Sequence, residues 1–73
     1  MKLGAAARLV VQRVLEAVAQ LADQPGLGRP GRVPNTRELV VLNTRHMVPY
    51  RVRSDVVEVL RVFHTSRRPP QRW

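Results

Sequence analysis

Residues 36–63 read TRELVVLNTRHMVPYRVRSDVVEVLRVF, and the fold turns on this stretch. Three runs rich in β-branched residues are separated by two short polar interruptions. Thr36–Leu42 is the first run, and Asn43-Thr44-Arg45 after it is a turn candidate. His46–Val52 alternates, with Val48, Tyr50 and Val52 on one side and Met47, Pro49 and Arg51 on the other. Arg53-Ser54-Asp55 is the second turn candidate. Val56–Phe63 is the third run, with Val57, Val59 and Phe63 against Val56, Glu58, Leu60 and Val62. Short strands joined by tight turns predict an antiparallel meander, with strands at about 36–42, 46–53 and 56–64. Pro49 has no N–H to donate to a ladder, which argues for an edge position or a bulge.

Upstream, residues 5–22 read AAARLVVQRVLEAVAQLA, free of Gly and Pro. Ala7, Val11, Val14, Val18 and Leu21 recur at steps of four and three, with Leu15 and Ala22 beside them. That spacing is an apolar stripe at helical period. Arg8, Gln12, Glu16 and Gln20 run down another face. A helix over about 5–23 follows, ended by Pro25-Gly26. Residues 25–35, PGLGRPGRVPN, form a loop, because Pro withholds N–H donors and Gly favours turns. The loop is not a phosphate cradle: it lacks the Lys-Ser/Thr ending and a following helix. Residues 65–73, TSRRPPQRW, are a basic tail. The predicted class is α+β: one N-terminal amphipathic helix packed on a three-stranded antiparallel β-meander, in a single domain spanning 1–73. A core this thin is expected to be completed by an oligomer or a bound partner.

The chain has 73 residues, 13 of them basic and 5 acidic, for a formal charge of +8. Lys2 is the only lysine; the other twelve basic residues are Arg. Residues 1–24 hold Lys2, Arg8 and Arg13 against Glu16 and Asp23, so the excess belongs to residues 25–73. Arg presents a planar fork of donors to phosphate or carboxylate, so an anionic partner is expected. Arg29, Arg32, Arg37, Arg51, Arg61, Arg67 and Arg68 are the candidates to bind it. Cysteine is absent, which removes thiolate metal sites, a Cys nucleophile and disulfides, and favours a reducing compartment. His46 and His64 are too few for a typical metal cage, so neither metal nor cofactor is expected. The longest apolar run is Leu39–Leu42, far short of a membrane span. A cytoplasmic protein without membrane contact is expected.

Four pieces of sequence, in order, resemble the RelE/ParE superfamily of type II toxin–antitoxin toxins. They are L-A-D-Q-P-G-L-G-R-P-G-R from Leu21, T-R-E-L-V-V from Thr36, V-P-Y-R-V from Val48, and V-L-R-V-F-H-T-S-R-R-P from Val59. Members of that superfamily usually begin with a strand and a first helix before the helix matched here. The resemblance therefore implies a shortened form with an uncovered apolar surface and an open sheet edge, prone to dimerise.

The superfamily divides into members that cleave mRNA on the ribosome and members that poison DNA gyrase. Cleavage by 2′-hydroxyl attack needs a base, an acid and cations around the phosphorane. The candidates are Arg37, Arg51, His64 and Tyr50. Alternation sends Tyr50 and Arg51 to opposite faces of one strand unless Pro49 supplies a bulge. Tyr50 also reads as a packing aromatic, His64 as a strand-end cap, and Arg51 and Arg61 as solvated charges. The single lysine, the run RPGRVPNTREL at 29–39 and the ending HTSRRP at 64–69 resemble the ParE-like branch more closely. The resemblance implies a non-enzymatic toxin that inhibits DNA gyrase and is neutralised by an acidic antitoxin. A ribosome-dependent endoribonuclease, or a shortened toxin that only binds antitoxin, are the alternatives.

Overall fold

The computed structural model describes residues 2–65. Helix α1 (Ala5–Asp23) is followed by five strands: β1 (Arg29–Pro30), β2 (Arg37–Val41), β3 (His46–Arg53), β4 (Val56–Val59) and β5 (Phe63–His64). All pairings are antiparallel, in the order β1-β2-β3-β4, with β5 alongside the start of β3. The α+β class, a single helix on an antiparallel sheet, is thus as the sequence predicts. The sheet carries two more strands than the expected meander.

Packing sets which face of each element turns inward. Leu21, Leu39, Val41, Val48 and Tyr50 form the buried core, with Val14, Ala17, Val18 and Val57 packed against it. On the helix the buried arc is therefore rotated from the predicted stripe: Ala17 joins it, while Val11 and Leu15 stay exposed. Gln24 closes the helix by donating its N–H to the Gln20 carbonyl at 3.0 Å.

The β3–β4 connection is a two-residue turn between Arg53 and its partner Val56. Ser54 (φ 49°) and Asp55 (φ 63°) both lie in the left-handed region, as a type I′ turn requires. The right-handed twist of the strands selects this turn, although neither residue is glycine. Between β2 and β3, Asn43 and Arg45 also take positive φ. There the Thr44 hydroxyl donates to the Val41 carbonyl at 3.0 Å and accepts the His46 N–H at 3.2 Å.

The expected third strand is interrupted, and the reason lies across from it. Tyr50 pairs with Val59 and Met47 with Phe63, so three steps along β3 face four along the neighbouring segment. One extra residue is accommodated at 60–62, which is a β-bulge. The Pro49 carbonyl accepts the Leu60 N–H at 2.9 Å, so Pro49 turns its hydrogen-bonding side toward this segment. The amide hydrogen that proline lacks would have pointed the same way, and the ladder breaks there. Pro49 thus sits in the central strand, and the bulge falls on the strand opposite. The extra residue reverses the alternation. Phe63 joins Met47 on the face away from the helix, and His64 joins His46 on the helix side.

The strained turn offers a stability test. Replacing Ser54-Asp55 by Asn-Gly places the residues that most readily adopt this conformation. The double variant is expected to gain about 1 kcal/mol in urea unfolding with its denaturant slope unchanged.

Candidate functional site

The Pro/Gly-rich loop is where several of the predicted site residues meet. Tyr50, in the central strand, is fully buried on the helix side. Its hydroxyl accepts the Gly28 N–H at 2.8 Å and donates to the Pro25 carbonyl at 2.7 Å. Arg37 pairs with Tyr50 across the sheet and donates Nη1 to the Gly28 carbonyl at 2.7 Å and the Gly26 carbonyl at 3.4 Å. Gly28 is required for this approach: a Cβ there would lie 2.7 Å from the Tyr50 hydroxyl and 2.9 Å from the Glu38 carbonyl. These two side chains therefore fasten the loop to the sheet.

Glu38 fastens the far side of the same loop. It is 3% exposed, on the sheet face away from the helix. Its Oε1 faces Arg29 Nε and Nη2, each at 3.3 Å. Its Oε2 accepts the Arg32 backbone N–H at 3.0 Å. A carboxylate buried this deeply is tolerated because both oxygens are engaged by a cation or an amide. Arg29 and Pro30 become the short strand β1 in this way, inside what the sequence suggests is only a loop.

Further along the helix-distal face, Arg51 Nη2 meets Glu58 Oε2 at 3.1 Å and Arg53 Nε meets Glu58 Oε1 at 3.3 Å. The Arg61 guanidinium lies 5.9 Å from the centre of the Phe63 ring, a cation–π distance. Arg29, Arg51, Arg53 and Arg61 thus share one face with two carboxylates, Glu38 and Glu58. Sequence reasoning passed over Arg53 and Glu58. The spacing of Arg51 and Arg53, two apart on one strand, already placed both on one side.

The four candidates for RNA cleavage do not converge. Tyr50 and Arg37 are on the helix side, engaged with the loop. Arg51 is on the opposite face. His64 stacks edge-to-face on His46, with ring centroids 5.1 Å apart, and His46 lies four residues from Tyr50 along β3. That is about 13 Å along the strand. His46 Nδ1 lies 2.6 Å from the Thr44 carbonyl, which orients this ring. Arg67 and Arg68 fall outside the described residues. Among the described residues no three His, Cys, Asp or Glu side chains group to hold a metal ion, and no helix is long and apolar enough to cross a membrane.

Removing the phenolic oxygen tests the loop anchorage. Tyr50→Phe strands the Gly28 N–H and the Pro25 carbonyl, at an expected cost of about 1–3 kcal/mol in urea unfolding. Arg37→Ala acts on the exposed side of the loop and is expected to cost less than Tyr50→Phe. Equal stability of Tyr50→Phe and the parent would show that the hydroxyl does not anchor the loop.

A family model described as the ParE toxin of the type II toxin–antitoxin system, parDE, matches residues 2–69. A Sinorhizobium fredii protein named "Putative toxin Y4kP" is 49% identical over 66 residues, which cover 90% of this chain and 68% of that protein. Both matches run through the helix, the loop that Tyr50 and Glu38 hold, and the arginine-bearing strands. The chain therefore belongs to the ParE toxin family of type II toxin–antitoxin systems.

Proposed function

We propose that this chain is a toxin that inhibits DNA gyrase without cleaving nucleic acid itself, and that a cognate acidic antitoxin neutralises it. The observation that carries this reading is the dispersal of the candidate nuclease groups. A 2′-hydroxyl attack needs its base, acid and cations within hydrogen-bond reach of one phosphate. Here the Tyr50 hydroxyl has both its donor and its acceptor roles filled inside the protein. Arg51 points away from Tyr50, and His64 stands at the far end of β3.

The helix-distal face suits protein or protein–DNA recognition better than bond cleavage. Its guanidinium groups are spread along the sheet rather than gathered around one point. Arg51 and Arg53 share the single carboxylate of Glu58, leaving positive charge over on that face. A net charge of +8 also draws an acidic segment, which would mask the arginines as it orders on them. Such a complex is expected to loosen as salt is raised.

The experiment pairs two readouts. Purified protein is added to gyrase supercoiling and DNA-cleavage assays, and transcripts are mapped by primer extension after induction in cells. Inhibited supercoiling with intact transcripts is the expected result. An Arg51→Glu, Arg61→Glu double variant is expected to weaken inhibition by about tenfold or more while keeping its circular dichroism. New transcript ends within codons would replace this reading with the ribosome-dependent endoribonuclease. Antitoxin binding with neither activity would identify a toxin that has kept only its partner.

A further inference from the structure

Glu58 is shared by two arginines, and the sharing leaves Arg51 incompletely matched. Glu58 stands directly across from Arg51 in the β3–β4 register. Its Oε2 faces Arg51 Nη2 at 3.1 Å and its Oε1 faces Arg53 Nε at 3.3 Å, so one carboxylate is divided between two guanidinium groups. Arg51 Nε is buried and has no acceptor among the described residues. A guanidinium grips a carboxylate best through two parallel donors, and a buried donor left unmatched is unfavourable. The cluster is also within reach of solvent: the Arg51, Glu58 and Arg53 side chains are 38%, 35% and 64% exposed. Ion pairs this open contribute little to stability, so a rival anion has little to displace.

Spacing says which anion suits the place. Arg51 and Arg53 are two residues apart on one strand, about 7 Å, with both side chains on the helix-distal face. An extended peptide repeats its alternate side chains at the same distance. Carboxylates two apart on such a segment would give each arginine a pair of oxygens, where Glu58 gives each of them one. Phosphates along a nucleic-acid strand fit less well. Their charge is continuous, and Glu38 and Glu58 lie on the same face in its path. A peptide can set neutral residues against those two acids. Glu38 shows the same chemistry elsewhere on the face, since Arg29 presents both Nε and Nη2 to it, each at 3.3 Å.

We propose that Arg51 and Arg53 form a carboxylate clamp for an acidic segment of the partner, and that Glu58 fills the clamp until a carboxylate of that segment displaces it. Glu58 thereby sets the affinity, because the pairs it makes must be broken before the partner's can form. It also shields the two arginines from weaker anions while the partner is away. The inference rests on the reading of an acidic antitoxin as the neutralising partner, and it is independent of the gyrase reading.

Binding is followed by fluorescence anisotropy with a labelled peptide of alternating Glu and Ala, and with a labelled oligothymidylate of equal charge. Glu58→Gln is compared with Glu16→Gln, which removes the same charge from the helix, where Glu16 faces Arg13 at 4.0 Å. Two ion pairs must be broken in Glu16→Gln and none in Glu58→Gln. The Glu58 variant is therefore expected to bind the peptide at least about threefold more tightly than the Glu16 variant. That advantage is expected to vanish when Arg51→Ala and Arg53→Ala are added to both, with circular dichroism unchanged throughout. A gain no larger than that of Glu16→Gln, or one that survives loss of both arginines, would overturn the clamp and leave the acidic-partner reading intact. A larger gain for oligothymidylate than for the peptide would overturn it in favour of a phosphate site. A peptide that binds neither the parent nor Glu58→Gln would overturn both the clamp and the acidic-partner reading.

Discussion

The hydroxyl of Tyr50 is the joint on which the rest of the molecule depends. Residues 25–35 contain three prolines and three glycines, and a segment of that kind has little reason to adopt one conformation. A buried phenol in the central strand settles the matter by bonding Pro25 and Gly28 together. Arg37 then closes over the Gly26 and Gly28 carbonyls, and Glu38 holds Arg29 and the Arg32 amide from the opposite face. Two consecutive residues of β2 reach the loop from opposite sides of the sheet, as strand alternation demands. The loop becomes the outer border of the sheet, and the end of the helix is set against the core by the same contacts.

This anchorage also decides what Tyr50 and Arg37 can offer. Residues that look catalytic in a list, a tyrosine and an arginine near a glycine-rich loop, are occupied with backbone groups of that loop. Among the described residues, Arg51, Arg53 and Arg61 lie on the other face, the first two paired with Glu58. Charge spread over a surface favours recognition of an extended anionic partner over concentrated catalysis at one phosphate.

The helix and its packing on an antiparallel sheet were legible because both rest on periodicity. Ala-rich sequence at period 3.6 and β-branched runs between polar turns leave few other arrangements. The inward arc of the helix was less legible, since Val11, Leu15 and Ala22 extend the apolar stripe beyond what the sheet contacts. The bulge at 60–62 was hidden because VVEVLRVF is apolar on both faces, so no pattern reveals where its phase changes. Pro49 held the needed information, but its consequence appears on the strand paired with it. The roles of Arg37 and Glu38 were out of reach for a related reason: each depends on which loop atoms lie within a few ångströms once the chain has folded. Arg53 and Glu58, by contrast, were within reach of simple alternation.

The bulge has an implication for how this family can diversify. Because it takes up one extra residue between Val59 and Phe63, the short segment there can lose that residue without changing which side chain each face displays. A lineage with one residue fewer at that point would close into a regular ladder and still set phenylalanine opposite Met47 and histidine opposite His46. Comparison of such proteins by aligned identity alone would register a gap where the displayed surface is the same.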